Sequence, residues 1–360
     1  MKAAILHAPQ ADLVIEDVAV SKPRAREVLI RAMACGVCRS DLHFIDGAYP
    51  APLPLVPGHE AAGVVEAVGE DVTALKPGDH VVTCFSTFCG RCEFCVTGRL
   101  SLCTDRSTKR QKGDESRLSL DGRAVHQLLN VGGYAETLLV HENGAVAIDP
   151  DMPFDRAALL GCAIVTGAGS VFNTAQVRPG EDVAVIGCGG IGLAAVNAAR
   201  IAGARHIVAI DPVPAKRALA ATVGATAGFA PDEEGLKEKV VALTKGGVHH
   251  AIEAVGRISA GELAISLLRR GGTATIVGMM PLQEKLSIGA MDLLAEKKVQ
   301  GCLMGSNRFP LDIPRLVDFY LAGRLDLDSL VAERIGLPEI NRAVDKLRTG
   351  EAARSVVMFE

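Results

Sequence analysis

Residues 182–186, Asp-Val-Ala-Val-Ile, run directly into Gly187-Cys188-Gly189-Gly190-Ile191-Gly192, and a helical stretch of small residues follows over 191–202. A strand that turns through glycines into a helix carries the chain back to start its next strand parallel to the first. The pattern then repeats: strand-like segments at 206–210, 227–230, 251–254 and 272–277 alternate with helix-like segments at 214–223, 236–244 and 261–268. This alternation predicts a doubly wound parallel sheet. Gly187, Gly189 and Gly192 satisfy the G-x-G-x-x-G spacing. The first permits a tight turn, the second lets backbone approach a pyrophosphate, and the third lets helix and sheet pack closely at a positive helix end. Asp211 closes the second strand, 19 residues past Gly192. A carboxylate there accepts hydrogen bonds from an adenosine ribose and repels a 2′-phosphate, which predicts NAD over NADP. Lys216 can reach the same ribose and offsets part of that repulsion.

A chain of 360 residues exceeds one ordinary core, so a second domain is expected. The first part has short β-like segments at 3–7, 28–34, 62–68 and 80–83, broken by glycine and proline, and reads as an irregular β-rich domain. Residues 154–177 are helix-like. Two amphipathic helices at 313–322 and 337–347 and a strand at 355–359 are expected to fold back onto the first domain. The predicted division is 1–163 with 304–360 against 164–303. The segment 104–124 is strongly polar, with Arg106, Lys109, Arg110, Lys112, Arg117 and Arg123 beside Asp105, Asp114, Glu115 and Asp121. It reads as a solvated surface loop, with substrate entry or subunit contact as the alternative.

With 49% apolar and 22% charged residues and a formal net charge of -4, the composition offers nothing to nucleic acid or an anionic membrane. No uninterrupted apolar run of roughly 18 residues suggests a span. The N-terminus enters strand-like sequence without the pattern of a signal peptide, so a cytoplasmic location is expected. Ten cysteines in a reducing compartment point to metal or catalysis before disulfides. Cys89, Cys92, Cys95 and Cys103, spaced x2, x2, x7, fit a closed tetrahedral zinc site that staples a lobe with little core of its own. An iron–sulfur cluster is the rival, against which the last spacing and the missing Cys-Pro argue.

A second cluster is the run Cys38-Arg39-Ser40-Asp41-Leu42-His43, which sets a thiol, a guanidinium, a hydroxyl, a carboxylate and an imidazole within six residues. Gly58-His59-Glu60 and Gly161-Cys162 stand far from it in the chain, and spacing cannot join them. Together with Gly63, Gly69, Val72, the four-cysteine lobe, the glycine turn and Asp211, in that order, these motifs make nearly the whole chain resemble the zinc-containing medium-chain alcohol dehydrogenases.

The resemblance implies a GroES-like catalytic domain joined to a Rossmann domain, two zinc ions per chain and NAD as cofactor. By it, Cys38, His59 and Cys162 are ligands of a catalytic zinc whose fourth position takes water or substrate, and Glu60 stands behind the metal. Arg39 and Arg354 match positions that reach the cofactor pyrophosphate, and Thr166 and Ile191 match positions near the nicotinamide. Ser40 matches the hydroxyl that bonds the substrate oxygen, His43 the end of a proton relay, and Asp41 the carboxylate that orients His59. Tyr49, Phe85, Met279 and Leu303 match an apolar substrate channel. The short proline-rich loop at 44–57 lacks the acidic residues of glutathione-dependent formaldehyde dehydrogenases, so the chain resembles the class I/III branch without being one of those. The expected reaction is reversible oxidation of hydrophobic primary or secondary alcohols to aldehydes or ketones, in a homodimer or homotetramer. The alternatives are a polyol or sugar dehydrogenase of the same superfamily and a non-catalytic zinc protein with a redox or structural role.

Overall fold

The computed structural model describes every residue except Lys112, Leu282 and 350–353. Lys112 of the polar segment therefore lies outside the described residues. The chain divides into two compact units: Met1–Cys162 with Arg308–Ala322 and Leu330–Glu360, and Ala163–Asn307 with Gly323–Ser329.

The first unit is built on the strand Glu27–Gly36, which pairs along its length with Glu60–Val68 and also with Thr137–His141 and Arg354–Met358. Val, Ile and Ala residues on this strand are buried, as a strand covered by neighbours on both edges requires. Its register against Glu60–Val68 slips between Leu29 and Ile30 and again between Ala32 and Ala34. Two such slips increase twist and bend the pair. The bend follows the glycine-punctuated sequence of this region. The last strand returns from the far end of the chain, with Val356 opposite Gly36.

The polar segment is a largely exposed loop over its first part, as its composition suggests, but its end is not. Leu118–Leu120 and Arg123–Gln127 form a hairpin, with Leu120 opposite Arg123. Its two-residue turn is Asp121-Gly122, both at positive φ (48° and 76°). That is the Asp-Gly turn whose twist matches paired strands, and the alternation around it was readable in the sequence. Arg110 and Arg117 both reach back to Glu27, at 2.5 and 2.8 Å. Burial opposes ionisation of Glu27, but a hydrogen bond from Arg110 and the charge of Arg117 outweigh it and hold the carboxyl at about 2. A lone carboxylate on the buried central strand thus recruits two guanidinium groups, which draws the segment inward.

The second unit is a six-stranded, all-parallel sheet in the order Ala227–Phe229, His206–Ile210, Asp182–Ile186, Val248–Glu253, Leu268–Ile276, Lys298–Gly301. The order reverses beside Asp182–Ile186, so a crevice opens at the carboxyl end of that strand. The helix Gly190–Ile201 follows it with a face of Leu, Val and Ala buried.

From Phe154 to Ala175 the chain is helical, with wider turns at Leu160–Ile164 and Ser170–Ala175. This stretch has the length and hydropathy of a membrane span, but 83% of its apolar window is buried within the protein, as in a core helix.

His141 ends the strand Thr137–His141, is 8% exposed, and accepts a hydrogen bond at Nδ1 from the Asn143 N–H. Burial, and then the charge of Arg26, push its pKa down to about 4. The unfolded chain takes up this proton near 6.5 and the folded chain only near 4, so stability is expected to fall with pH across that window. The loss from this residue reaches about 2–3 kcal/mol. His141→Asn should flatten that limb of the unfolding midpoint against pH; an unchanged limb would assign it to another group.

Candidate functional site

Helix Arg39–Ile45 is short, and its role is to set two groups at its start: Cys38 at the N-cap and Asp41 in the first turn. Asp41 is 1% exposed and fully used. Its Oδ2 accepts from the Cys38 N–H (3.2 Å) and the Tyr134 hydroxyl (2.8 Å), and its Oδ1 from the Gly58 N–H (3.2 Å) and His59 Nδ1 (2.8 Å). Gly58 sits at φ +87°, and a Cβ there would lie 2.6 Å from the Tyr134 ring, so glycine alone fits the turn that presents His59.

An ionised carboxylate only accepts, which assigns the imidazole hydrogen to Nδ1 and leaves a lone pair on Nε2. That Nε2 is buried and has no hydrogen-bond partner among the described residues. It belongs to a group with Cys38, Glu60 and Cys162 whose donor atoms all lie within 4.8 Å of one another, every residue buried. Cys162 comes from the widened helical turn Leu160–Ile164, a distortion that often marks functional positions. Arg354 closes the set: its guanidinium bonds Glu60 and approaches Cys38 Sγ at 3.8 Å. The motif places Arg354 among pyrophosphate contacts; in the structure its partners are Glu60 and Cys38. Burial raises the Glu60 carboxyl to about 8 against the opposing charge of Arg354. With both thiols ionised, as ligation of a metal requires, one guanidinium faces two thiolates and the Asp41 carboxylate here. A divalent cation is the charge that this buried set lacks, and two sulfurs with one imidazole nitrogen suit zinc.

The cysteine lobe passes a metric test. Sulfur separations are 3.5 Å for Cys92–Cys95, 3.8 Å for Cys92–Cys103 and 3.9 Å for Cys89–Cys95. A tetrahedron with Zn–S of about 2.3 Å has S···S edges near 3.8 Å, far longer than a disulfide bond. Backbone N–H groups of Arg91 and Cys92 also point at Cys89 Sγ, at 3.4 and 3.3 Å, as donors to thiolate sulfur.

In the second unit, Gly187 has φ +93° and a Cβ on Gly192 would lie 1.7 Å from the Gly187 carbonyl oxygen. Packing thus explains those two glycines. It does not explain Gly189, where a Cβ would meet nothing within 4 Å; the bare backbone at the start of Gly190–Ile201 leaves room for an anionic group, which fits a dinucleotide phosphate. Asp211 is buried, its oxygens accepting from the Cys188 and Val213 N–H groups at 2.8 and 2.9 Å, so it also ties the turn to the next strand. Lys216 is half-buried on the following helix. Arg217, which the sequence reading passes over, donates to the Asp211 carbonyl. Thr166 is buried with its hydroxyl on Met304 Sδ, and Ile191 is half-buried.

Arg39 is exposed and Ser40 and His43 half-buried on one helix, three residues apart and so on one face. The His43 ring packs edge-on to Tyr49 at 5.5 Å, and His59 edge-on to Phe85 at 5.6 Å. Met279 and Leu303 belong to the second unit and are exposed there. Two further residues escaped the sequence reading. Tyr134 has no local signal, since only folding brings it to Asp41. Glu253 had one, an acid at the end of an apolar strand before Ala254-Val255-Gly256. Its carboxylate accepts the N–H groups of Val255, Gly256 and Gly278, ordering the loops that leave two adjacent strands.

Two family models match the chain: the alcohol dehydrogenase GroES-like domain over residues 24–150 and the zinc-binding dehydrogenase over 190–321. Among solved structures, an alcohol dehydrogenase zinc-binding domain protein from Burkholderia ambifaria is similar at 35% identity, covering 100% of this chain and 98% of the other, with a TM-score of 0.96. Benzyl alcohol dehydrogenase from Acinetobacter calcoaceticus is similar at 32% identity over 100% and 99%, TM-score 0.94. A zinc-binding dehydrogenase from Sinorhizobium meliloti 1021 bound to NADP is similar at 28% identity over 99% of each chain, TM-score 0.82.

Asp41→Asn puts an amide donor among groups that need an acceptor. The variant should hold metal at the Cys38–His59–Cys162 site about 10–100-fold more weakly while the cysteine lobe keeps its own. Chelator titration followed by metal analysis of the protein measures both; equal loss from the two sites would contradict the assignment.

Proposed function

Because the chain belongs to the zinc-containing medium-chain alcohol dehydrogenase family, we propose that it oxidises hydrophobic primary or secondary alcohols reversibly to aldehydes or ketones, with NAD as hydride acceptor. The observation that carries this reading is the buried Cys38–His59–Cys162 set, with His59 Nε2 unpartnered and Asp41 behind it. Bound there, zinc acts as a Lewis acid that lowers the pKa of an alcohol hydroxyl. A second zinc in the four-cysteine lobe is structural, since four protein ligands leave no open position.

The chain's own groups handle the rest. Ser40 Oγ takes the hydrogen bond of the alcohol and passes its proton toward His43. Burial, and then the charge of Arg39, lower the His43 pKa, so its ring is neutral near pH 7 and ready to accept. The open backbone at Gly189 holds the pyrophosphate, and Asp211 receives the adenosine ribose. Phe85 and Tyr49 line the alcohol's approach with aromatic surface, which favours an aryl-methanol over a polyol. The likeness to a benzyl alcohol dehydrogenase supports benzyl alcohol as a first substrate. The exposed side chains of Met291, Leu293 and Leu294, close in sequence to the edge strand Lys298–Gly301, support a homodimer or homotetramer. Ten free cysteines fit a reducing, cytoplasmic setting.

A second reading, use of NADP, is favoured by two observations: the NADP-bound relative and the Arg217 guanidinium beside Asp211. Comparing kcat/KM for the two cofactors decides it, with NAD expected ahead by at least about tenfold through repulsion at Asp211. Cys38→Ser should abolish hydride transfer to NAD from benzyl alcohol while NAD still binds and about one zinc per chain remains. Full turnover in that variant would remove Cys38 from the metal site.

A further inference from the structure

The polar segment lines a cavity of about 800 Å³ in the first unit, opposite the start of the central strand. Its charges do not balance. Asp114 pairs with Arg24, Glu142 with Arg26 and Asp105 with Arg91. Glu27 is shared between Arg110 and Arg117, and the side chains of Arg106 and Lys109 have no carboxylate partner among the described residues. Three positive charges are left over around one concavity.

One buried donor also lacks a partner. Thr108 is 4% exposed, lies between Arg106 and Lys109 in the chain, and its buried hydroxyl has no hydrogen-bond partner among the described residues. A buried donor without a partner is uncommon, and here it shares a lining with surplus cations. Arg117 lines the same cavity, and its one side-chain hydrogen bond among the described residues runs from Nε to Glu27 Oε1, which leaves its Nη groups uncommitted.

We propose that this cavity is a binding site for a phosphate-class oxyanion, free or as a monoester, held by the Arg117 guanidinium and the Thr108 hydroxyl with Arg106 and Lys109 beside it. A guanidinium fork and a hydroxyl match a tetrahedral oxyanion, and a doubly charged anion offsets most of the surplus, where a single carboxylate does not. Cys89 and Arg91 line the same cavity, and residues 105–111 follow Cys103 directly. The anion therefore braces the cysteine lobe against the central strand, independently of the alcohol chemistry.

The test uses the zinc-loaded full chain, saturated with NAD so that the cofactor site is filled, and titrated with sodium phosphate against chloride at equal ionic strength. Phosphate should raise the unfolding midpoint with the logarithm of its concentration above Kd, by about 2–4 °C at ten times its Kd. Arg106→Ala with Lys109→Ala, both on the surface, should weaken phosphate about tenfold and leave NAD affinity unchanged. Thr108→Val should hold its midpoint in chloride and lose phosphate affinity. Glycerol 3-phosphate in place of phosphate separates the sources: tighter binding of the ester assigns an organic phosphate, tighter binding of phosphate the free ion. No gain over chloride, or a gain retained in all these variants, overturns the proposal.

Discussion

One carboxylate sets the geometry of the candidate metal centre. Asp41 receives four donors from three separate parts of the chain: the Cys38 backbone, the Gly58–His59 turn and the Tyr134 hydroxyl. Each oxygen carries two hydrogen bonds, so neither can be satisfied differently without leaving a buried charge short. The result is a fixed His59 tautomer and a fixed distance between the Cys38 and His59 segments. Arg354 does the complementary work on the other side, holding Glu60 where its charge is countered. Ligands set this way need little rearrangement to receive a metal.

The central strand Glu27–Gly36 links that centre to the rest of its unit. Its carboxyl end pairs with the segment that begins at Glu60, and with the strand that begins at Arg354. Its amino end carries Glu27, which draws in Arg110 and Arg117. One element thus places the candidate metal ligands at one end and a cluster of cations at the other. The bends in its register separate the two.

Legibility followed the range of the signal. The alternating strands and helices of the second unit were readable to within a few residues, because each element carries its own periodicity and the glycine turn its own spacing. His206–Ile210, Pro214–Val223 and Leu236–Thr244 match what the pattern predicts. The four cysteines were readable because all lie on one short lobe. Residues 104–124 were misread in part: most of the run is exposed, but a buried carboxylate 83 residues away claims Arg110. The Asp121-Gly122 hairpin within it was a local signal overlooked for the same reason.

The sequence by itself determined the kinds of chemistry present: thiols and an imidazole for a metal, glycines for a phosphate, a carboxylate at the end of the second strand. It also carried, through motif order, the family to which the chain belongs. Only the tertiary structure decided which groups meet. Cys38, His59 and Cys162 converge because a bent strand pair and a distorted helix bring segments more than a hundred residues apart within a few ångströms. Tyr134 and Arg354 gain their roles the same way. Residue type sets what a side chain can do and is local; proximity is a property of packing, and no spacing in the chain encodes it.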